Sequence, residues 1–239
     1  MDDPIGHAIK DYFEYGHITD IKINTNYTEE ESIPPSWFFR EFDKMPPIEQ
    51  KALQLCKGKI LDVGAGAGSH TLYLQQNGKD VTALEKSGLA VEVMKKRGAK
   101  NVIYTDLYDF NAGKFDTILV LMNGTGLGGT LSGLKKMLLH FKSLLQKNGQ
   151  ILIDSSDIKY LFEDKDGSYW IDLNSNRYYG EMDYEVSYKS FQSKFKWLFT
   201  GFDQLQKTAA ECSFNCDCVK KGSHFDFLAK LTVAFDSKM

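Results

Sequence analysis

Residues 61–70 of the chain read LDVGAGAGSH: an apolar run carrying Asp62, then Gly64, Gly66 and Gly68 at alternate positions, then the start of a helical pattern. Glycines spaced in this way let a backbone turn tightly and approach a ligand with no Cβ in between. The helix that follows offers free N–H groups and the positive end of its dipole to an anionic or polar group. Taken alone, the stretch could be nothing more than a tight connection. Its neighbours decide the matter. Lys59–Val63 (KILDV) runs into the glycines as a short apolar strand, and Ser69–Gln76 continues from them as a helix.

The same alternation extends downstream. Asp80–Leu84 (DVTAL) reads as a second strand, Leu89–Arg97 as a helix closed by Gly98, and Asn101–Tyr104 as a third strand. Phe115–Met122 (FDTILVLM) is a fourth strand, followed by a helix over 130–147 that stops at Asn148-Gly149, and Gln150–Asp154 (QILID) is a fifth. Strand and helix alternating through short connections imply a parallel, doubly wound α/β sheet with helices on both faces. Glu85 stands at the end of the second strand, 21 residues after Gly64. Such a fold places an acid there for ribose hydroxyls, although a plain surface carboxylate would fit the same position.

Composition narrows the class. The 239 residues are 42% hydrophobic and 26% charged, with net charge −3, so the chain can build a core and carries no overall basic field for nucleic acid or anionic membrane. No run approaches the roughly 20 apolar residues of a membrane helix. The opening MDDPIGHAIKDYFEYGH has neither the basic start nor the apolar run of a signal peptide, and four cysteines are too few for a secreted disulfide scaffold. A cytoplasmic protein is expected.

Charge and proline are unevenly distributed. Residues 1–50 hold 11 acidic and 4 basic residues and all five prolines, which marks an N-terminal cap or arm over 1–50 ahead of a main domain over 51–239. Pro47 suits the first turn of a helix continued by IEQKALQLC. Residues 160–202 hold 13 of the 31 aromatics, an aromatic-rich insertion in which Glu181–Lys189 alternates as an antiparallel strand. Phe202, Leu205, Ala209 and Cys212 then repeat at helical spacing. Cys216–Lys220 and Phe227–Ala234 flank a turn at Lys221-Gly222-Ser223 as a closing hairpin.

The glycine spacing separates two ligand classes. A dinucleotide fingerprint, G-x-G-x-x-G, requires glycine at 69, where the chain has Ser69; the third glycine is Gly68, giving G-x-G-x-G with Asp62 two residues before it. This pattern, with Glu85 and Asp106 after the third strand, resembles the class I S-adenosylmethionine-dependent methyltransferases from about residue 50 onward. The resemblance implies a Rossmann-like, doubly wound seven-stranded sheet, mostly parallel with a C-terminal antiparallel hairpin, plus an N-terminal helical cap. It implies S-adenosyl-L-methionine as cofactor and S-adenosyl-L-homocysteine as product. The Gly64–Gly68 backbone, including Ala65 and Gly66, would face the amino-acid tail, with Asp62 near its amino group. Glu85 would take the ribose, Asp106 the adenine amino group and Leu107 the ring. Met122, Asn123 and Gly124 would lie under the methionine moiety. Each position keeps a plainer alternative: Asp106 as a helix N-cap, and Asn123-Gly124 as an ordinary turn.

The acceptor is less sharply written. Methyltransferases of base and amide nitrogens carry [DN]-P-P-[YF] after the fourth strand; here the stretch is MNGTGL, which removes that support. Displacement from a sulfonium can run on positioning and exclusion of water, so no base motif is obligatory. Asp154 and Ser155-Ser156-Asp157 lie at the carboxyl edge of the sheet, where substrates bind, though DSSD could equally cap the next helix. His70 reads as packing over the loop, and His224 as solvated. Trp170, Tyr178, Tyr179 and Trp197 are wall residues for an acceptor cleft or cover for a sheet edge; Trp37, Phe38, Phe39 and Arg40 are read as a lid. Cys212, Cys216, Cys218 and His224 fit no strong zinc spacing, and no metal is implied. The expected reaction is methylation of a small-molecule acceptor, without a membrane and without nucleic acid. The competing readings are a non-catalytic S-adenosylmethionine-binding module and an NAD(P)-dependent oxidoreductase.

Overall fold

Asp3 accepts from the Gly6 amide and Pro4 takes the first helical position, so α1 (Pro4–Tyr15) starts sharply. A computed structural model describes residues 2–169 and 177–234. After α1 come a hairpin, β1 (Ile21–Thr25) and β2 (Glu31–Ile33), and then α2 (Pro47–Leu55), which has Pro47 at its first position. The alternating unit follows: β3 (Lys59–Val63), α3 (Ser69–Gln76), β4 (Asp80–Glu85), α4 (Gly88–Lys96), β5 (Val102–Tyr104), β6 (Phe115–Val120), α5 (Leu131–Leu144) and β7 (Leu145–Ser156). The chain closes with β8 (Glu181–Tyr188), β9 (Phe191–Leu198), α6 (Phe202–Glu211), β10 (Phe214–Lys221) and β11 (Asp226–Val233).

Seven strands form the main sheet in the order β10-β11-β7-β6-β3-β4-β5. The pairs among β3–β7 are parallel, and β11 joins β7 antiparallel with β10 outside it. This is the doubly wound sheet with a closing hairpin that the sequence implied. The order reverses between β3 and β6, and the crevice at that switch point opens beyond the carboxyl ends of the strands.

Period-two alternation decides which residues meet which layer. Leu61, Val63, Ile118, Val120, Ile151 and Ile153 pack on one face against Leu134, Leu138 and Phe141 of α5 and Leu205 of α6. Ile60, Leu119 and Leu152, one position out of phase, pack on the other face with Ile48 and Leu53 of α2 and Leu74 of α3. Cys212 and Cys216 are buried in the first of these layers as small apolar side chains.

Two features depart from the sequence reading. The helix expected to reach 147 ends at Leu144, and β7 begins at Leu145 rather than Gln150. Asn148 at φ 65° and Gly149, backed against the Phe115 carbonyl, absorb the resulting shift in register, so Leu145 already pairs with Phe115. The second departure is larger. β1 pairs with both β2 and β8, and β8 with β9, giving a separate four-stranded antiparallel sheet in the order β2-β1-β8-β9. The N-terminal arm and the aromatic-rich insertion therefore form one sheet. Ile21, Val186 and Tyr188 bury its inner face against Ala8 of α1.

Candidate functional site

Gly64, Gly66 and Gly68 all hold left-handed backbone (φ 71°, 55° and 85°), which a side chain would oppose. The loop is tied to Glu85 at the end of β4. Its Oε2 accepts from the Gly66 amide and its Oε1 from the Ser87 amide, each at 2.8 Å. Burial pushes the Glu85 carboxyl up; the Ser87 and Gly66 amides pull the other way. Asp3 holds the Ser87 hydroxyl, joining the N-terminus to the same corner. Asp62 is buried at the end of β3 and accepts from Thr71 Oγ1 at 2.6 Å; burial raises its carboxyl as well. Ala65 is buried with Ala83 and Met94. Asp106 accepts from the Tyr108 amide and caps the single turn Leu107–Asp109, while Leu107 rests half-buried against the main core. The cap and the adenine reading of Asp106 are compatible, since the amide takes only Oδ1.

Beyond β6 the chain kinks. Met122 and Asn123 are consecutive non-glycine residues at φ 66° and 61°, followed by the single turn Gly124–Gly128. Such backbone costs of order 1–2 kcal/mol per residue and persists only where its surroundings hold it. Asp154 does the holding: its Oδ2 accepts from the Asn123 amide at 3.1 Å and its Oδ1 from the Gly124 amide at 2.8 Å. The Asn123 side chain accepts from Ser155 Oγ and donates to the Leu198 carbonyl. Thr125 Oγ1 also reaches that carbonyl, at 3.0 Å. A Cβ at Gly126 would land inside the Trp197 indole. The end of β9 is thus seated on the 123–126 loop. Asp154, expected at the substrate edge, gives each oxygen to a backbone amide of this loop, as Glu85 does at the glycine loop, and so braces the floor of the site.

Burial pushes the Asp154 carboxyl up to about 6 against those two amides. A folded-state pKa above the unfolded value means that stability present below pH 4 is lost as pH rises to 6. Urea midpoints at pH 5 and pH 7 should therefore fall more steeply in the wild-type protein than in Asp154→Asn; parallel falls would contradict the assignment.

The arm closes over the glycine loop from the other side. Phe38 lies 3.7 Å from where a Gly66 Cβ would stand, and its carbonyl accepts from Ser69 Oγ at 2.8 Å. Arg40 Nη2 donates to Glu49 Oε1 at 2.7 Å, and Glu49 Oε2 lies 2.9 Å from His70 Nε2. Glu49, an ordinary first-turn acid of α2 in the sequence, is 3% exposed and joins arm, α2 and α3. Sequence reasoning missed it because nothing in PPIEQ distinguishes a buried acid from a solvated one. Burial opposes the His70 imidazolium, but the Glu49 hydrogen bond and the charges of Asp62 and Glu49 outweigh it and hold His70 above its ordinary value.

The remaining wall residues divide. Trp37 is 47% exposed, with Arg40 over its ring, so it borders the arm's outer surface. Tyr178 and Tyr179 stack obliquely at 4.4 Å near Phe162; Tyr179 Oη donates to Asp157 Oδ1, and Tyr178 Oη accepts from the Gly201 amide. They flank the exit of β7 and are not in contact with the glycine loop. Trp170 lies outside the described residues. His224 sits in the exposed closing turn.

Left-handed glycines, the buried Glu85 carboxyl tied to their loop and the kinked loop after β6 meet at the switch point, at the carboxyl edge of the sheet. Comparison with known proteins is consistent with this. A family model described as tellurite resistance protein TehB matches residues 43–125. A solved S-adenosylmethionine-dependent methyltransferase from Bacteroides fragilis, in complex with S-adenosyl-L-homocysteine, is 43% identical, with 98% of this chain and 96% of that one covered at a TM-score of 0.91. Streptomyces venezuelae DesVI shares the fold at 16% identity and a TM-score of 0.57, over 78% of this chain and 90% of that one. A curated Pyrococcus horikoshii 23S rRNA (uracil(747)-C(5))-methyltransferase is 37% identical over 73 residues, 30% of this chain and only 18% of that protein. The chain belongs to the class I S-adenosylmethionine-dependent methyltransferases, and its cofactor is S-adenosyl-L-methionine. No helix among the described residues is long and apolar enough to cross a membrane.

Proposed function

We propose that the protein methylates a small-molecule acceptor, held between the seven-stranded sheet and a cap made of the 1–50 arm and the β8–β9 hairpin. The observation that carries this reading is the Leu198 carbonyl, which accepts from both Asn123 and Thr125 and seats β9 on the floor of the site. With Phe38 closing from the arm, the approach is narrowed on two sides, which suits a small acceptor better than a folded nucleic acid or protein surface. The net charge of −3 points the same way.

The residues present fit the cofactor. Gly64, Ala65, Gly66 and Gly68 would lie along its amino-acid tail, Asp62 near the tail's ammonium, and Glu85 under the ribose diol. Asp106 and Leu107 would bracket adenine, and Met122, Asn123 and Gly124 would support the methionine portion. Bound there, the cofactor would supply an electrophilic sulfonium methyl for transfer to O, N or C of the acceptor. The chain's own contribution is to orient acceptor and methyl in line and to exclude water. Tyr178, Tyr179, Trp37 and Arg40 remain candidates for the acceptor's surroundings, and Asp154 acts through the floor it braces.

Formation of S-adenosylhomocysteine from S-adenosylmethionine should be followed with pooled small amines and hydroxyl compounds, and separately with total RNA. Turnover in the small-molecule pools alone is the expected result. Turnover with RNA alone would sink the small-molecule reading, and turnover with any acceptor excludes a non-catalytic binding module.

A further inference from the structure

The four-stranded cap sheet turns one face towards the site. Tyr184 stands opposite Phe195, and Met182 opposite Trp197, so these side chains share the face on which Val186 and Tyr188 are buried near α1. We propose that the ring row Tyr184, Phe195, Trp197 and Phe199, with Glu31 at its edge, binds a positively charged group of the acceptor, so that the acceptor is a small organic cation, an amine carried as its ammonium. This rests on the reading of the site as one that takes a small-molecule acceptor beneath the cap.

The face is buried unevenly. Val186 and Tyr188 are closed off at 1% and 2% exposure, whereas the four rings of the row are half-buried. Tyr184 is their hub: its centroid lies 5.9 Å from Phe195, 6.2 Å from Trp197 and 6.2 Å from Phe199, and Phe195 meets Trp197 edge-on at 5.8 Å. Rings serving only to cover a sheet would be closed in as Tyr188 is. The row also touches the loops that surround the site. Trp197 occupies the space above Gly126 in the floor loop. Phe38, which borders Gly66, packs against the same cluster as Tyr184 and Phe195.

Charge decides between a neutral and a cationic occupant. On the sheet's other face Lys22, Lys194 and Lys196 are paired with Glu30, Glu185 and Asp183. Glu31 stands opposite Ile23, on the ring face, and has no ion-pair partner among the described residues. Burial pushes the Tyr184 phenol up and the charge of Glu31 pushes it the same way, so neutral rings stand beside an unpaired carboxylate. The arm that carries Glu31 holds 11 acidic against 4 basic residues over 1–50, a field that gathers cations at the cap. A ring face is the negative pole of its quadrupole and attracts a cation within about 6 Å. A neutral acceptor would gain apolar contact alone. An ammonium that is itself the acceptor nitrogen gives its proton to water before transfer.

The test uses choline and 3,3-dimethylbutan-1-ol, which share one shape and differ in charge, titrated calorimetrically into the full chain saturated with S-adenosylhomocysteine. Choline should bind about tenfold or more tightly than its neutral isostere, the scale of a desolvated cation on an aromatic face. That preference should shrink as salt is added. Tyr184→Leu should bring choline close to the level of the isostere, and Tyr184→Phe should keep the preference. Glu31→Gln should lower it by about threefold and remove most of its salt dependence. All three variants should bind S-adenosylhomocysteine as the wild type does. Should Tyr184→Leu fail to fold, the exposed Glu31→Gln still reads the charge term.

A wild-type protein that bound both probes alike, or neither, while holding S-adenosylhomocysteine would overturn the cation site. Equal weakening of both probes in Tyr184→Leu would reduce the row to an apolar wall and overturn it as well. Failure of the wild type to bind S-adenosylhomocysteine, or turnover with RNA alone, would overturn the underlying acceptor reading and this one with it.

Discussion

Glu85→Ala is expected to weaken S-adenosylhomocysteine binding by roughly two orders of magnitude, about 3 kcal/mol. Two losses combine. The ribose hydroxyls lose a charge-assisted acceptor, worth about 1.5–3 kcal/mol. The Gly66 and Ser87 amides, each held at 2.8 Å, lose the carboxylate that fixes the loop's left-handed turn. Glu85→Gln, which keeps one acceptor oxygen, should fall between the two. Calorimetry on all three proteins checks the order; an alanine variant that binds as the wild type does would remove Glu85 from the site.

The second large effect falls on the floor. Asp154→Ala should lower the melting temperature by about 10 °C, because it strands the Asn123 and Gly124 amides, a cost of about 3–5 kcal/mol at roughly 2–4 °C per kcal/mol that relaxation of the left-handed Met122 and Asn123 offsets only in part. Turnover should fall further than S-adenosylhomocysteine affinity, since the loop that seats β9 moves while the glycine loop and Glu85 stay in place. A melting temperature within 2 °C of the wild type would show that Asp154 is not what holds the kink.

These two residues differ in how far the sequence revealed them. Glu85 was placed by its 21-residue offset from Gly64 in a strand pattern, because parallel strands of similar length bring their ends to one edge. Asp154 was placed at the same edge correctly, but its task was not visible. Whether a carboxylate faces an acceptor or a backbone amide depends on the path of a loop 30 residues away. Glu49 was missed for a related reason: its partners, Arg40 and His70, are 9 and 21 residues distant and reach it from different elements.

By itself the sequence determined the doubly wound sheet, the glycine loop, the acid after β4 and the cofactor class. The first three follow from local periodicity and from fixed spacings within single strand–turn–helix units, which survive translation from chain to fold; the cofactor class is what the resemblance carried by those motifs implied. Only the tertiary structure decided that the N-terminal arm and the aromatic-rich stretch build one antiparallel sheet, with Ile23 opposite Val186. It alone decided that this sheet's last strand sits on the Asn123 loop. The first depends on pairing between segments more than 150 residues apart and the second on contacts between residues 73 and 75 apart, and at such separations no local pattern of residues encodes which groups meet.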